Sequence, residues 1–496
     1  MYAMYHGSYG HTLETPSRTE VGVDAHYAAV WGALKFIAEN REAMVHDQIE
    51  IFRRGALDLA QMLIPQELLD ETQWEQYNEL TVQEFPAAYV IPAGQPFQQS
   101  SHQAARLVDF LLFNDVEVEQ ASQSFKLAGT TYPKGTYIVW MDQPKRGLAN
   151  TILGAGPDLS AVPGLDFYSP PAAWSHPLLW GTHRVVMEED MSIKTTPVNK
   201  ADNPSGSVQG KKAGAYAYEP TSLTAYQVTN ALIDDGVAVW RASSAFTDNG
   251  RDFEPGTFIV PADSSLANEL ANQHALDVFA ISGPPANAVV MEKQRIAVYA
   301  DEYTRYALEV LGFDFDTVST GDINAGVVEK YDLFLNYSRR WTGSGLTDAG
   351  RASLTSFFAA GGDYVGLRST GIGLAISAGI IDVDYQSASS SNNAIVNVTY
   401  NSDDSVAGGF LDEDYAFVYG PAWFTRLGAD VVNSAELSSG DFIVSGYWVD
   451  WDVSGAEGMP VVVHNSNGNS DTTLIGIDTT FRAHPENTFR LLGNAI

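Results

Sequence analysis

A short segment near the start of the chain carries a candidate catalytic carboxylate. In Tyr9–Thr15, the side chains of Thr12 and Glu14 fall on one face of an extended strand and Leu13 falls on the other. Pro16 then ends the strand, which places Glu14 at its end. A carboxylate held there can accept a proton as a general base. The alternative is that Glu14 is solvated or caps the helix that follows.

The order of strand, glutamate and helix resembles the closing segment of the zinc carboxypeptidase family, of the carboxypeptidase A type. Apolar residues at helical spacing predict a first helix around Val30 to Ile37 and a second from Ile49 to Met62. The resemblance implies that Glu14 is the general base beside a zinc ion, with a peptide or peptide-like substrate. It covers roughly the first sixty residues.

The same resemblance implies zinc ligands in an H-x-x-E motif and a later histidine, with one position on the metal left open. We expect this chain to lack that motif, because His46 reaches Glu50 only at the fourth position. The chain would then bind no zinc itself. It would be the C-terminal part of a longer protein, extracellular or periplasmic, whose N-terminal peptidase portion lies outside it.

A second set of candidate residues lies toward the end of the chain. Gly361–Leu374 is typical of a strand, a tight glycine turn and a helix, a geometry that exposes a nucleophile at the edge of a sheet. Phe481–Glu486 contains a histidine and a glutamate two positions apart. These segments resemble the nucleophile elbow and the F-H-P-E segment of class I glutamine amidotransferases, which implies a Cys-His-Glu triad.

This chain has no cysteine, and two alignments of the elbow place either Ser369 or Arg368 where the thiol belongs. The resemblance therefore implies a vestigial triad of Ser369, His484 and Glu486. A serine is far less nucleophilic at neutral pH than a thiolate, so we expect no catalysis from it. A serine hydrolase triad made of the same three residues is the alternative.

The elements that must position these residues fall into two patterns. Strand and helix alternate from Ile296 to Ala360, which predicts a parallel sheet with helices on its faces. An internal repeat precedes it, and each copy predicts a helix, a short strand, a glycine turn, a second strand and a further helix. We assign the repeat no chemistry. The residues that recur 121 positions later are Phe125, Gly129, Tyr132, Gly135, Thr136, Tyr137, Ile138 and Val139.

Composition excludes several classes of function. The chain has 28 basic and 61 acidic residues, a formal charge of −33, which disfavours nucleic acid and anionic membrane surfaces as partners. No run of about eighteen apolar residues occurs, so we expect no membrane insertion. The absence of cysteine excludes disulfides, thiolate nucleophiles and cysteine zinc sites.

The sequence as a whole predicts a multidomain α/β protein. We expect a truncated carboxypeptidase tail over 1–80, an α/β unit over 85–165, a connecting region over 166–212, a second α/β unit over 213–285, and a flavodoxin-like, amidotransferase-like domain over 293–496. The function indicated is the C-terminal part of a metallocarboxypeptidase-like protein with non-catalytic accessory domains. The alternative is a non-enzymatic module that binds a small ligand or substrate in the amidotransferase-like cleft.

Overall fold

A computed structural model describes residues 2–10, 13–15, 18–60, 84–94, 96–161, 174–343, 345–388, 392–448, 455–466 and 470–496. The chain divides into two compact units. Unit 1 comprises Met1–Ala93, Leu107–Gly154 and Arg184–Ala201, and unit 2 comprises Gly94–Arg106, Ala155–His183 and Asp202–Ile496. Among the described helices, none combines the length and the apolar content that a membrane crossing requires.

Unit 1 contains a five-stranded antiparallel sheet and a short hairpin. The first elements along the chain are α1 (Tyr2–Tyr5), α2 (Glu20–Ala56), β1 (Ala88–Ile91), α3 (Ser101–Phe113, which begins in unit 2), β2 (Glu119–Ala121), β3 (Phe125–Leu127), β4 (Thr130–Tyr132), β5 (Tyr137–Trp140), α4 (Arg146–Leu153), β6 (Val185–Met187) and β7 (Thr195–Pro197). The sheet order is β6-β1-β5-β2-β7, and β3 pairs with β4.

The start of the chain differs from the sequence prediction. Where two helices were expected, α2 is one helix of 37 residues, because Gly32 and the polar residues near Asn40 do not interrupt it. The expected extension of a helix to Met62 lies outside the described residues. The predicted strand around Glu14 is wrong for the residues described there, since 8–10 and 13–15 are irregular.

Unit 2 contains the second copy of the repeat, arranged around a six-stranded sheet of order β15-β10-β13-β9-β14-β8 and a hairpin of β11 with β12. Its elements are α5 (His176–Trp180), β8 (Val208–Gln209), β9 (Ala215–Tyr218), α6 (Leu223–Asp234), β10 (Trp240–Ala242), β11 (Phe246–Asp248), β12 (Arg251–Phe253), β13 (Phe258–Pro261), α7 (Ser264–His274), β14 (Val278–Ile281) and β15 (Ala288–Val290).

The two copies match down to individual turns. Phe125 pairs with Tyr132 across one hairpin and Phe246 with Phe253 across the other, and both aromatic pairs are stacked. The glycines that follow have positive φ in both copies, +94° at Gly135 and +86° at Gly256. The duplication predicted from the 121-residue offset is therefore a duplication of structure.

The last part of unit 2 is a ten-stranded mixed sheet. Its elements, together with the separate pair β20 and β23, are β16 (Ile296–Tyr299), α8 (Glu302–Val310), β17 (Asp316–Thr317), α9 (Thr320–Asn324), β18 (Leu333–Asn336), α10 (Asp348–Ala359), β19 (Asp363–Leu367), α11 (Arg368–Ala378), β20 (Val383–Ser387), β21 (Asn393–Tyr400), β22 (Glu413–Val418), β23 (Ala422–Leu427), β24 (Val432–Leu437), β25 (Ile443–Tyr447), β26 (Pro460–Ser466), β27 (Asp471–Ile475) and α12 (Phe489–Ala495).

Strands β17, β16, β18, β19 and β27 run parallel, and β26, β24, β21 and β22 continue the sheet antiparallel. The parallel strands end in register, because Asn336 is opposite both Tyr299 and Gly366, and Gly366 is opposite Leu474. The residues that follow these four positions therefore share the carboxyl edge of the sheet. The fold is α/β with several sheets, as predicted; the predicted limits of its five parts stay predictions.

Candidate functional site

A tight turn joins β19 to α11 at the carboxyl edge of the parallel sheet. Arg368, the first residue of α11, has φ +57°, a left-handed conformation that costs a non-glycine residue about 1 to 3 kcal/mol. The flanking glycines allow the close packing, since a Cβ on Gly371 would lie 2.6 Å from the carbonyl oxygen of Asn336. Arg368 therefore occupies the corner of an elbow, which favours the alignment that places Arg368 where the thiol belongs.

The side chain of Arg368 is held by two neighbours. Its Nε lies 3.0 Å from Oδ1 of Asp478, and its Nη1 donates to the Tyr337 hydroxyl at 2.8 Å. Asp478 is buried, and its Oδ2 accepts hydrogen bonds from the backbone N–H groups of Tyr419 and Gly420 at 2.6 and 3.0 Å. Burial disfavours the charge on Arg368, but Asp478 and Tyr337 outweigh burial and raise the pKa of the guanidinium.

A second arginine lies in the loop after β18. Asn336 fixes this loop, because its Oδ1 accepts from the Arg339 N–H at 2.7 Å and its Nδ2 donates to the Tyr364 hydroxyl at 2.9 Å. The guanidinium of Arg339 lies 4.4 Å from the centre of the Tyr299 ring and donates a hydrogen bond to its hydroxyl. Arginine and tyrosine side chains thus follow three adjacent strand ends, where α/β proteins bind ligands.

The predicted triad residues occupy different surroundings. Ser369 lies in the first turn of α11, and its backbone carbonyl accepts from the Tyr385 hydroxyl at 3.1 Å. Glu486 is buried, and its carboxylate accepts from Gln103 Nε2 at 3.1 Å and from Arg106. Within the described chain, no hydrogen bond or ion pair joins Ser369 to His484 or Glu486. The proposed roles of these three residues stay predictions.

His484 instead packs against a second histidine. The rings of His484 and His176 lie 4.7 Å apart, edge to face, and Trp180 stacks beneath Arg106 at 4.3 Å. Burial lowers the pKa of His176 to about 3, with a smaller contribution from His484, and burial likewise lowers the pKa of His484 to about 4. Both imidazoles are therefore neutral at pH 7. The His176 ring also packs edge to face against Trp180 at 4.8 Å, so these aromatic side chains serve packing.

The environment of Glu14 offers no support for a catalytic role. Its side chain is exposed, and the neighbouring Leu13 and Thr15 lie in an irregular segment. His11 stands three positions before Glu14, so the expectation that the chain lacks an H-x-x-E spacing is wrong at the level of sequence. His11 lies outside the described residues. The role of Glu14 as general base stays a prediction.

A metal site would need several ligands close together. Among the residues that the structure describes, no group of three or more His, Asp or Glu side chains could hold a metal ion. Catalytic zinc takes three protein ligands, and His11 with Glu14 would supply two at most. The expectation that this chain binds no zinc remains a prediction.

Comparison with known proteins finds similarity only at the level of solved structures. No protein family matches the sequence, and no curated protein does. A candidate GMP synthase protein from Thermoplasma acidophilum is 12% identical with a TM-score of 0.30, and the match covers 41% of this chain and 95% of that one. A glutamine amidotransferase from Thermotoga maritima is 11% identical with a TM-score of 0.28, over 41% and 97%.

A candidate ThuA-like protein from Bacteroides uniformis is also similar. It is 17% identical with a TM-score of 0.29, and the match covers 43% of this chain and 94% of that one. Glutamine amidotransferase-like folds are thus among the structures that this chain resembles, at low identity and over about two fifths of its length.

Several residues of the site were missed by the sequence reasoning. Tyr299, Tyr337, Arg339 and Asp478 each stand within four residues of the end of a parallel strand. Polar and aromatic residues directly after a buried apolar run were the available signal, because the carboxyl ends of parallel strands share one edge. The sequence could not show that Arg368 pairs with Asp478, since the two are far apart along the chain.

Proposed function

We propose that residues 293–496 form a non-catalytic domain that binds a small ligand at the carboxyl edge of its parallel sheet. The observation that carries the proposal is Arg368 at the corner of the elbow, tied to Asp478 and Tyr337. An arginine is protonated at all physiological pH values and cannot attack a carbonyl, so the position offers no nucleophile.

The composition of the edge favours an anionic ligand. Arg339 and Arg368 place two guanidinium groups after adjacent strands, each beside a tyrosine hydroxyl; Arg339 is buried, and about one quarter of the Arg368 side chain is exposed. The planar guanidinium matches the geometry of carboxylate and phosphate groups. A carboxylate or phosphate that approached this edge could accept hydrogen bonds from arginine and tyrosine together. Because the chain is otherwise strongly acidic, an anion would bind at this edge in preference to the rest of the surface.

Two assays with purified full chain test the proposal. Glutamine and p-nitrophenyl ester hydrolysis are expected to stay at background in the wild type and in Ser369→Ala. Turnover that is lost in Ser369→Ala would establish a serine hydrolase and overturn the non-catalytic function. A thermal-shift panel of small carboxylates and phosphates is expected to contain at least one stabilising compound.

The carboxypeptidase hypothesis is independent of this proposal. It depends on Glu14, on a peptide substrate and on zinc supplied from outside this chain, and no contact of the described residues supports it. It therefore stands as an untested prediction of the sequence.

A further inference from the structure

A polar cavity of about 320 Å³ lies within unit 2, next to the second copy of the repeat. None of its lining residues belongs to the carboxyl-edge site. Its volume is at the lower end of the range for small-molecule sites, roughly 300 to 1,000 Å³. The residues that line it and carry the argument are Thr221, Arg251, Glu219, Asp277, Ser207 and Phe279.

Arg251 is pre-positioned in this cavity. Its guanidinium carbon lies 3.7 Å from the centre of the Phe279 ring, and its Nη2 donates to Oε1 of Glu219 at 2.9 Å. The Phe279 ring and the Glu219 carboxylate fix the orientation of the guanidinium group. The hydrogen bond to Glu219 uses one of its nitrogen atoms, so most of its five N–H groups take no part in that bond. A side chain ordered in advance loses little entropy when a ligand binds.

The lining also supplies acceptors and hydroxyl groups. Ser207 Oγ donates to Oδ1 of Asp277 at 2.6 Å and accepts from Gln209 Nε2 at 3.0 Å, which orients this carboxylate. Oδ2 of Asp277 takes part in no hydrogen bond within the described chain, and the same holds for the hydroxyl of Thr221. The cavity thus offers both donors and acceptors.

The charge balance argues for a neutral ligand. Arg251 already has Glu219 as a counter-ion and Asp277 adds a second carboxylate, so an anion is disfavoured, while a cation would meet the guanidinium. A hydroxyl group both donates and accepts a hydrogen bond, and it suits a wall that mixes carboxylate, guanidinium and hydroxyl groups. Volume and chemistry together indicate a ligand with several hydroxyl groups on one ring.

The repeat provides an independent comparison. Arg251 stands at the start of β12, and the position 121 residues earlier, at the start of β4, is Thr130. The aromatic pairs and positive-φ glycines of the hairpins are shared by both copies, whereas this arginine is not. The shared framework therefore does not require Arg251.

We propose that this cavity binds a neutral, hydroxyl-rich small molecule about the size of one sugar ring, held between Arg251 and Asp277. The hydrogen bonds would run from the guanidinium to ligand oxygens and from ligand hydroxyls to the Asp277 carboxylate. Phe279 positions the arginine.

Isothermal titration of the full chain with D-glucose, D-galactose, N-acetyl-D-glucosamine and glycerol tests this proposal. At least one sugar is expected to bind with a stoichiometry of one. Arg251→Thr, which installs the residue of the first copy, and Asp277→Asn, which keeps the size of the side chain, are each expected to weaken binding at least tenfold. The matched control Arg426→Thr removes an exposed arginine elsewhere and is expected to leave the affinity unchanged.

The contradicting results are equally definite. The proposal is overturned if no sugar binds, if inorganic phosphate or putrescine displaces the sugar, or if both variants bind as the wild type does. Circular dichroism shows whether each variant is folded, and since the two substitutions are chemically independent, one folded variant is enough for the test. The sugar panel and these variants share nothing with the test of the carboxyl-edge site, so either can fail alone.

Discussion

Arg368 Nε lies 3.0 Å from Asp478 Oδ1, which joins the elbow after β19 to the segment after the neighbouring parallel strand β27. The Asp478 side chain is almost completely buried and that of Arg368 is about one quarter exposed. Arg368, held by Asp478, therefore occupies the position at which an enzyme with this geometry would present a nucleophile. The structure of this turn therefore depends on both Arg368 and Asp478.

The first prediction concerns the stability of that pair. Arg368→Ala leaves a buried carboxylate without its counter-ion, and we expect the free energy of unfolding to fall by about 3 kcal/mol. Arg426→Ala, which breaks an exposed pair with Asp382, is the matched control and should change thermal unfolding little. In a double-mutant cycle with Asp478→Ala, a coupling energy near zero would contradict the importance of the pair.

The second prediction concerns the dependence of stability on pH. Burial holds the pKa of His176 at about 3 and that of His484 at about 4, below the ordinary value of 6.5. The unfolded chain therefore takes up protons between pH 6.5 and 4 that the folded chain does not. The stability contributed by the neutral pair is complete above about pH 6.5 and is lost as the pH falls toward 4.

His176→Leu removes one of these groups and should make the melting temperature fall less steeply from pH 7.5 to pH 4.5. His46→Leu, on the exposed surface of α2, is the control and should keep the slope of the wild type. Equal slopes in all three proteins would show that the folded chain takes up a proton at His176 as readily as the unfolded chain does, which would contradict a lowered pKa of His176.

The third prediction uses the duplicated hairpins. Gly135→Ala and Gly256→Ala force a Cβ onto residues with φ of +94° and +86°, and each should cost about 1 to 2 kcal/mol of stability. Gly32→Ala, in α2 with no atom within 4 Å of the added Cβ, should instead stabilise the helix by about 0.5 to 1 kcal/mol. Thermal unfolding measures all three. A neutral result at both glycines, which follow the two hairpins, would mean that these turns relax at little cost.

The fourth prediction concerns zinc. Purified chain dialysed against zinc and then against buffer should retain much less than one equivalent of metal, measured by inductively coupled plasma mass spectrometry. Two candidate ligands at His11 and Glu14 are fewer than a catalytic zinc site needs. One retained equivalent that is lost in Glu14→Gln would revive the metallopeptidase hypothesis for this chain.

The parts of the fold that sequence reasoning predicted well are those with strong local patterns. Alternation of apolar runs and amphipathic segments predicted the succession of strands and helices from Ile296 to Ala360, where β16, α8, β18 and α10 lie, because buried parallel strands and their covering helices have distinct periodicities. The repeat was visible because duplication preserved turn glycines such as Gly129 and Gly250. Both kinds of signal are short-range, and the structure agrees with them.

Predictions that depended on long-range context were less successful. A strand needs a paired neighbouring strand, and the described residues around Glu14 form no strand, so alternation alone was insufficient there. At the elbow the sequence allowed Ser369 or Arg368, and only the backbone angle of +57° at Arg368 distinguishes them. The partners of Glu486 are Gln103 and Arg106, which lie some 380 residues away along the chain.

The most direct test of the central claim is isothermal titration of the full chain with succinate, citrate and inorganic phosphate. The wild type should bind at least one of these at a stoichiometry of one, and Arg368→Lys, which keeps the charge but loses the planar fork, should weaken that binding at least tenfold. The control Arg426→Lys should bind as the wild type does. Absence of binding to all three anions, or equal affinity in Arg368→Lys, would contradict a ligand site at the carboxyl edge.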